Sequence, residues 1–300
     1  MIAMLFGAII PALFGLFMYL LFDEVSLLIR VWKSYPYFGN VVRLSGLTMT
    51  PGYLSSVLSI GMIYLINSKK WNYLVIIVTL FVLIMTLSKN LVPLIGVFGI
   101  YFLVKTRMDN LFTGSIVLLL TILAFSLPTM FVVKSQEGIS FEEKHLLNDE
   151  DSFQYRGYTI YPTSYYELKM TATTVIKRRF PRGLGPAQFL PGLDQLKNEG
   201  LFAKDIEPHV PHDTYIGTIA EYGIFGLIAI LILTIGVMRN IIGIHPDLVG
   251  TPVYTFLILS VLYIMIQSIM VDTQHLRHYW LILIFLNTLP LIRVELLQKV

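Results

Sequence analysis

The sequence predicts an all-α fold: a polytopic integral membrane protein with about eight transmembrane helices and one large extracytoplasmic loop. Three observations carry this. Of the 300 residues, 55% are hydrophobic and only 14% are charged, and the mean hydropathy is +0.71. A soluble domain of this length carries about 25% charged residues. Apolar runs that span the hydrocarbon layer, or nearly do, and are uncharged apart from Glu221, cover 1–22, 51–67, 71–87, 90–104, 111–133, 214–238, 251–271 and 279–292. None of these runs has a Lys, Arg or Asp in its middle.

Taken in order, the first run, Met1 to Phe22, has no preceding Lys or Arg and is longer than a signal-peptide core. It reads as a retained first helix. The next four runs complete an N-terminal membrane region over 1–133. A polar segment rich in Gly, Pro and Tyr then occupies 134–212, too long for an ordinary connection and therefore expected to be functional. The last three runs form a C-terminal membrane region over 213–300, within one membrane domain.

Short loops set the orientation. Asn67 to Trp71 with Lys69 and Lys70, Lys105 to Arg107, Met238 to Asn240 with Arg239, and the tail with Arg293 and Lys299 are expected in the cytoplasm. Alternation then puts residues 23–50, Ser88-Lys89, the long segment and Asp272 to His278 outside. Arg30, Lys33, Arg43, Lys89 and Arg277 fall on that outer side against the usual bias: either the topology differs, or the outer face needs positive charge, which predicts an anionic ligand there.

Composition excludes several function classes. With no cysteine there is neither a disulfide framework nor a thiolate metal site. A net charge of +3 without an extended basic tract does not fit a nucleic-acid partner. Ion-coupled transporters bury acids near the midplane and show inverted repeats. No such repeat is visible, and the acid set into an apolar run, Glu221, lies near its start, which weighs against a transporter and leaves that class open.

Chemistry concentrates at a few positions. His212 stands where the polar segment meets the run beginning at Thr214, a placement suited to a general base at a membrane surface. It can equally be a plain helix-entry residue. Arg43, Lys89, Arg156 and Arg277 join it on the outer side, from separate loops. Arginine grips phosphate oxygens bidentately and lysine acts as a point charge. Taken singly, each is also explained as a helix-end residue snorkelling to the headgroups, though Arg156 is not at a helix end. Asp213 and Glu221 flank the same helix entry.

Other features carry less. Gly183 to Gly185 lacks a following Gly-Lys-Ser/Thr and is a turn rather than a phosphate loop. Glu142-Glu143 and Asp149 to Asp151 read as solvated loop, and His245 as structural. Pro208 and Pro211 argue against a helical metal pair at His209 and His212, so no metal and no cofactor are expected. The tyrosines between Tyr155 and Tyr166 suit either a sugar platform or interfacial anchoring.

Six segments, in order, resemble the bacterial O-antigen ligase and polymerase family. Arg43-Leu44-Ser45-Gly46 with Thr50-Pro51-Gly52-Tyr53-Leu54 is similar to its Arg-x-x-Gly and Asn-Pro-Asn segment. Thr86-Leu87-Ser88-Lys89 resembles its Ser-Arg-Gly element, with lysine for arginine. Asp151 to Arg156 is similar to an arginine-bearing helix entrance, and Gly183 to Phe189 resembles the Gly-x-Gly-x-x-x-Phe that follows. His212-Asp213, nine residues, then Gly223 resembles His-Asn-x9-Gly with Asp for Asn. Leu276 to Trp280 resembles the Arg-x-x-Trp opening of a late helix. The family is usually longer at its N-terminus, so this chain is expected to be a short variant or a truncated product.

The resemblance implies a metal-independent glycosyltransferase in the bacterial cytoplasmic membrane, with its active site facing the periplasm or exterior. The donor would be an undecaprenyl-pyrophosphate-linked glycan, and the acceptor a glycan or lipid A core. His212, Arg156 and Lys89 would be catalytic. Arg43, Arg277, Asp213 and Glu221 would bind substrate. The alternative from another class is a transporter or flippase for a lipid-linked anionic sugar.

Overall fold

In the computed structural model, the described residues are 2–22, 28–35, 39–48, 50–68, 73–105, 131–135, 153–162, 164–200, 210–211, 213–242, 251–269 and 277–288. The chain divides into two compact units. The first comprises Met1–Ile122, Asn240–Met265 and Leu276–Val300; the second comprises Leu123–Arg239 and Ile266–His275. The protein is mostly helical, as its composition predicts.

The first unit opens with a helix that buries one stripe and leaves Ile10, Phe14, Phe17 and Leu20 exposed. Helix α1 (Ile2–Phe22) turns Leu5, Ala8, Ile9, Ala12 and Gly15 inward, a three-and-four spacing that forms one stripe. A hairpin of β1 (Ile29–Tyr35) and β2 (Gly39–Leu44) follows. Helix α2 (Pro51–Asn67) begins sharply because the Thr50 hydroxyl accepts from the Tyr53 amide at 3.3 Å and Pro51 occupies the first turn. It buries Leu54, Leu58, Ile63 and Leu65. Gly61 gives room to α1, since a Cβ there would lie 2.6 Å from Leu5 Cδ1. Helices α3 (Tyr73–Met85) and α4 (Leu91–Lys105) pack on α2.

The second unit opens with a three-stranded antiparallel sheet, ordered β3 (Phe131–Ser135), β5 (Tyr158–Pro162), β4 (Phe153–Tyr155). Helices α5 (Ser164–Arg179), α6 (Phe189–Asn198) and α7 (Thr214–Ile242) follow. Its core joins Leu168, Ala172 and Val175 of α5 to Phe189, Leu193 and Leu196 of α6 and Ala220 of α7. Both sets step by four and then three residues, so each helix offers one apolar stripe. Helices α8 (Pro252–Gln267) and α9 (Arg277–Thr288) complete the described elements.

Two expectations need correction. The fold is not purely α, because the two small sheets take segments expected to be loop or span. The apolar run 111–133 ends in a strand: Phe131, Val132 and Val133 pair with Pro162, Tyr161 and Ile160. Aromatic and β-branched side chains favour that pleated arrangement once a partner strand is present. The rest of that run lies outside the described residues.

Among the described residues, two helices are long and apolar enough to cross a membrane: Ile2–Phe22 and Thr214–Val237. Tyr73–Met85, Leu91–Tyr101 and Pro252–Gln267 are apolar but shorter. This supports membrane association.

Candidate functional site

Helix α7 is not a continuous rod. Gly223 sits at φ 59° and ψ −132°, a break within the helix. Breaking a helix frees backbone groups that an apolar environment cannot satisfy. Here a loop preceding α6 supplies the partners. The Leu184 amide donates to the Ala220 carbonyl at 2.9 Å, and the Gly185 amide to the Glu221 carbonyl at 2.8 Å. In return the Ile224 amide donates to the Pro181 carbonyl at 2.8 Å.

This stitch requires two glycines. A Cβ on Gly223 would collide with the Pro181 carbonyl oxygen and the Arg182 backbone, and one on Gly183 with the Glu221 carbonyl. Both residues have positive φ, where other residues are strained. Two segments selected from the sequence, Gly183 to Phe189 and His212 to Gly223, are thus joined backbone to backbone.

A cavity of about 400 Å³ lies beside the stitch, a volume within the usual small-ligand range. Its wall includes Ala187, Leu190, Val210, Asp213, Gly217 and Glu221. Neither carboxylate is idle. One oxygen of Asp213 caps α7, accepting from the Tyr215 and Ile216 amides at 3.0 Å each. The other pairs with Lys169 of α5 at 3.2 Å. Lys169 also donates to the Ile269 carbonyl at 2.7 Å. Burial pushes the Asp213 carboxyl above its ordinary value; the α7 amides and Lys169 oppose the shift without overcoming it.

Glu221 reaches away from its own helix. Its carboxylate accepts from the Ala187 amide at 3.3 Å and the Phe189 amide at 3.2 Å. Gln188, at the α6 N-cap, makes no capping bond with its own side chain. Glu221 therefore satisfies donors at the α6 N-terminus, where negative charge is also favoured.

A second constellation lies in the first unit. The Arg43 Nε donates to the Thr86 carbonyl at 2.9 Å. Asn90, directly after Lys89, donates from Nδ2 to the Gly52 carbonyl at 2.8 Å and to the Ser56 hydroxyl at 3.1 Å. These bonds gather Arg43, the Pro51-Gly52 helix start and the Thr86 to Lys89 turn, which are separate in sequence. Lys89 itself is half-buried.

Of the remaining candidates, Arg156 alone has a described side chain. Arg156 is exposed at the tip of the β4–β5 hairpin, where φ is 49° for Arg156 and 82° for Gly157. Two consecutive positive φ values make the tight turn that strand twist favours, so this arginine marks a hairpin and not a helix entrance. Its guanidinium stands 5.3 Å from the Tyr155 ring centroid. Tyr155 and Tyr158 are exposed while Tyr161 is buried. Arg277 begins α9, but its side chain lies outside what is described, as do His212, His209 and His245.

Sequence reasoning missed three features. Lys169, the partner of Asp213, stands in the middle of α5, with no local signal. Asn90 sits one residue beyond a segment that was selected. The run Lys177-Arg178-Arg179-Phe180-Pro181-Arg182 is basic, and every residue in it is exposed; its charge density is legible in the sequence. Comparison with known proteins identifies no relative: no family model, no curated protein and no solved structure matches this chain.

Proposed function

We propose that this chain is a multi-pass membrane glycosyltransferase of surface polysaccharide biosynthesis, acting on a polyprenyl-pyrophosphate-linked glycan at the outer face of the cytoplasmic membrane. Transfer to another repeat unit would make it a polymerase, and transfer to a lipid A core a ligase. The observation that carries the reading is the joining of Gly183 to Gly185 with Ala220 to Gly223 beside a cavity. Both segments belong to the resemblance, which says nothing of their proximity. The clustering of Arg43, Gly52 and Thr86 adds support of the same kind.

In this reading the acceptor hydroxyl attacks the anomeric carbon as its bond to the pyrophosphate oxygen breaks. The resemblance gives His212 the hydroxyl proton, and gives Arg156 and Lys89 the charge developing on the leaving pyrophosphate. It gives Arg43 and Arg277 the donor phosphate oxygens. Asp213 and Glu221 act through position: the first fixes the α7 start next to His212, the second fixes the cavity wall. In-line displacement inverts the anomeric centre, and a retained anomer by NMR would sink that step.

Complementation tests the whole reading. A host deleted for its own copy receives wild type, His212→Ala, Arg156→Ala or Lys89→Arg at matched membrane levels, with polysaccharide read on gels. Loss with the two alanine variants and retention with Lys89→Arg supports transfer chemistry. Accumulated single repeats indicate a polymerase, and carrier-bound long chains a ligase. Full activity of His212→Ala favours transport of the same lipid-linked sugar instead.

A further inference from the structure

The break in α7 coincides with a change in surroundings. From Asp213 to Glu221 every residue is buried or half-buried, and Ala220 belongs to the core of the second unit. Beyond the break the surface is apolar and open: Phe225, Ile228, Leu231, Ile232 and Ile235 are all exposed, Phe225 by 76%. The whole helix has 29 residues, about 43 Å at 1.5 Å per residue, well beyond a hydrocarbon layer of about 30 Å. The portion from Ile224 to Ile242 is about 28 Å long and fits it.

The basic run is fixed at this same level. Pro181 accepts from the Ile224 amide at 2.8 Å, and the Arg182 backbone packs on Gly223. Lys177, Arg178, Arg179 and Arg182 are all exposed there, with no acidic residue among them and Phe180 exposed beside them. Cations above an apolar helix surface, with aromatic residues between, match the layering of a lipid interface.

We propose that Lys177, Arg178, Arg179 and Arg182 form an anionic-phospholipid headgroup site, and that lipid contact of α7 begins at Gly223 and not at Thr214. The occupant is a phosphate-bearing anionic lipid of the surrounding bilayer, chosen for charge complementarity. The segment Thr214 to Tyr222 then stands on the water side of the hydrocarbon, within the second unit. This inference does not depend on the glycosyltransferase reading.

Because the chain has no cysteine, single labels are unique. The full chain carrying Phe180→Cys, Phe225→Cys or Ile232→Cys, each spin-labelled, is placed in bilayer discs of phosphatidylglycerol and phosphatidylcholine. Oxygen access should rise from 180 through 225 to 232, with access to a water-soluble nickel chelate falling. In parallel, phosphatidylglycerol retention by the full chain in detergent is read by native mass spectrometry. Each cation removed should weaken it about fivefold, so Arg178→Gln/Arg179→Gln/Arg182→Gln should lose about a hundredfold. The matching triple lysine variant should retain binding. Unchanged phosphatidylglycerol preference in the glutamine variant overturns the headgroup site, and a label at 225 in bulk water overturns the depth assignment.

Discussion

Helices α2 and α7 handle backbone polarity in opposite ways. Helix α2 stays intact, and its Ser56 and Asn67 side chains turn back on the ladder. The Ser56 hydroxyl donates to the Gly52 carbonyl at 3.1 Å and the Asn67 amide to the Ile63 carbonyl at 2.8 Å. Helix α7 is broken, and its freed groups are met by a loop about forty residues earlier in the chain. The first solution is local and tolerates small changes around it. The second needs two backbones in contact, so it depends on two specific glycines.

The largest effect should come from adding one methyl group at each place. Gly223→Ala combines a positive φ with a backbone collision, and a cost of about 4 kcal/mol is expected from strain and overpacking together. Gly61→Ala meets only the end of the Leu5 side chain, which can move, so about 1 kcal/mol is expected. Unfolding midpoints in detergent check both, and equal losses would break the contrast.

Next in size is Lys169→Met. It leaves Asp213 buried without its cation, and about 3 kcal/mol is expected from the uncompensated charge. Pairing it with Asp213→Asn should recover part of the loss, because the amide still caps α7 through its oxygen. Additive losses in that double variant would show that the pair does not couple.

A smaller effect follows from Glu221→Ala. Donors at the start of α6 lose their acceptor, worth about 1 kcal/mol by analogy with other helix caps. Hydrogen exchange should quicken at Ala187 and Phe189 while the amides of α2 remain unchanged.

The smallest effect is a pH trend. Burial raises the folded-state Asp213 carboxyl above its ordinary 3.8, so the folded chain holds that proton more tightly than the unfolded one. Its contribution is full below 3.8 and diminishes as pH rises through the folded value. The stability of wild type relative to Asp213→Asn should therefore fall as pH rises through that window and then level off. A rise over the same range would mean that the Lys169 pair outweighs burial.

Much of this was legible without coordinates. Thr50-Pro51 announces the start of α2, and Asp213 before Thr214 announces the start of α7, because caps work within a few residues. The apolar stripes of α5 and α6 follow from helical periodicity. Arg156-Gly157 between tyrosine-bearing strands carries a hairpin signal as well, because glycine suits the positive φ of a tight turn. The strand at Phe131 to Ser135 was hidden in an apolar run, since length and hydropathy do not separate a buried strand from a helix end.

What the sequence determined by itself is therefore short-range: an apolar, mostly helical chain, where several helices begin, and which polar residues interrupt them. These follow from side-chain transfer energies and capping within one or two turns. Only the tertiary structure decided that α7 breaks at Gly223, that Lys169 pairs with Asp213, and that Glu221 serves another helix. Each of those depends on a contact between segments distant in sequence, and a broken helix is stable only where a second backbone arrives to fill its hydrogen bonds.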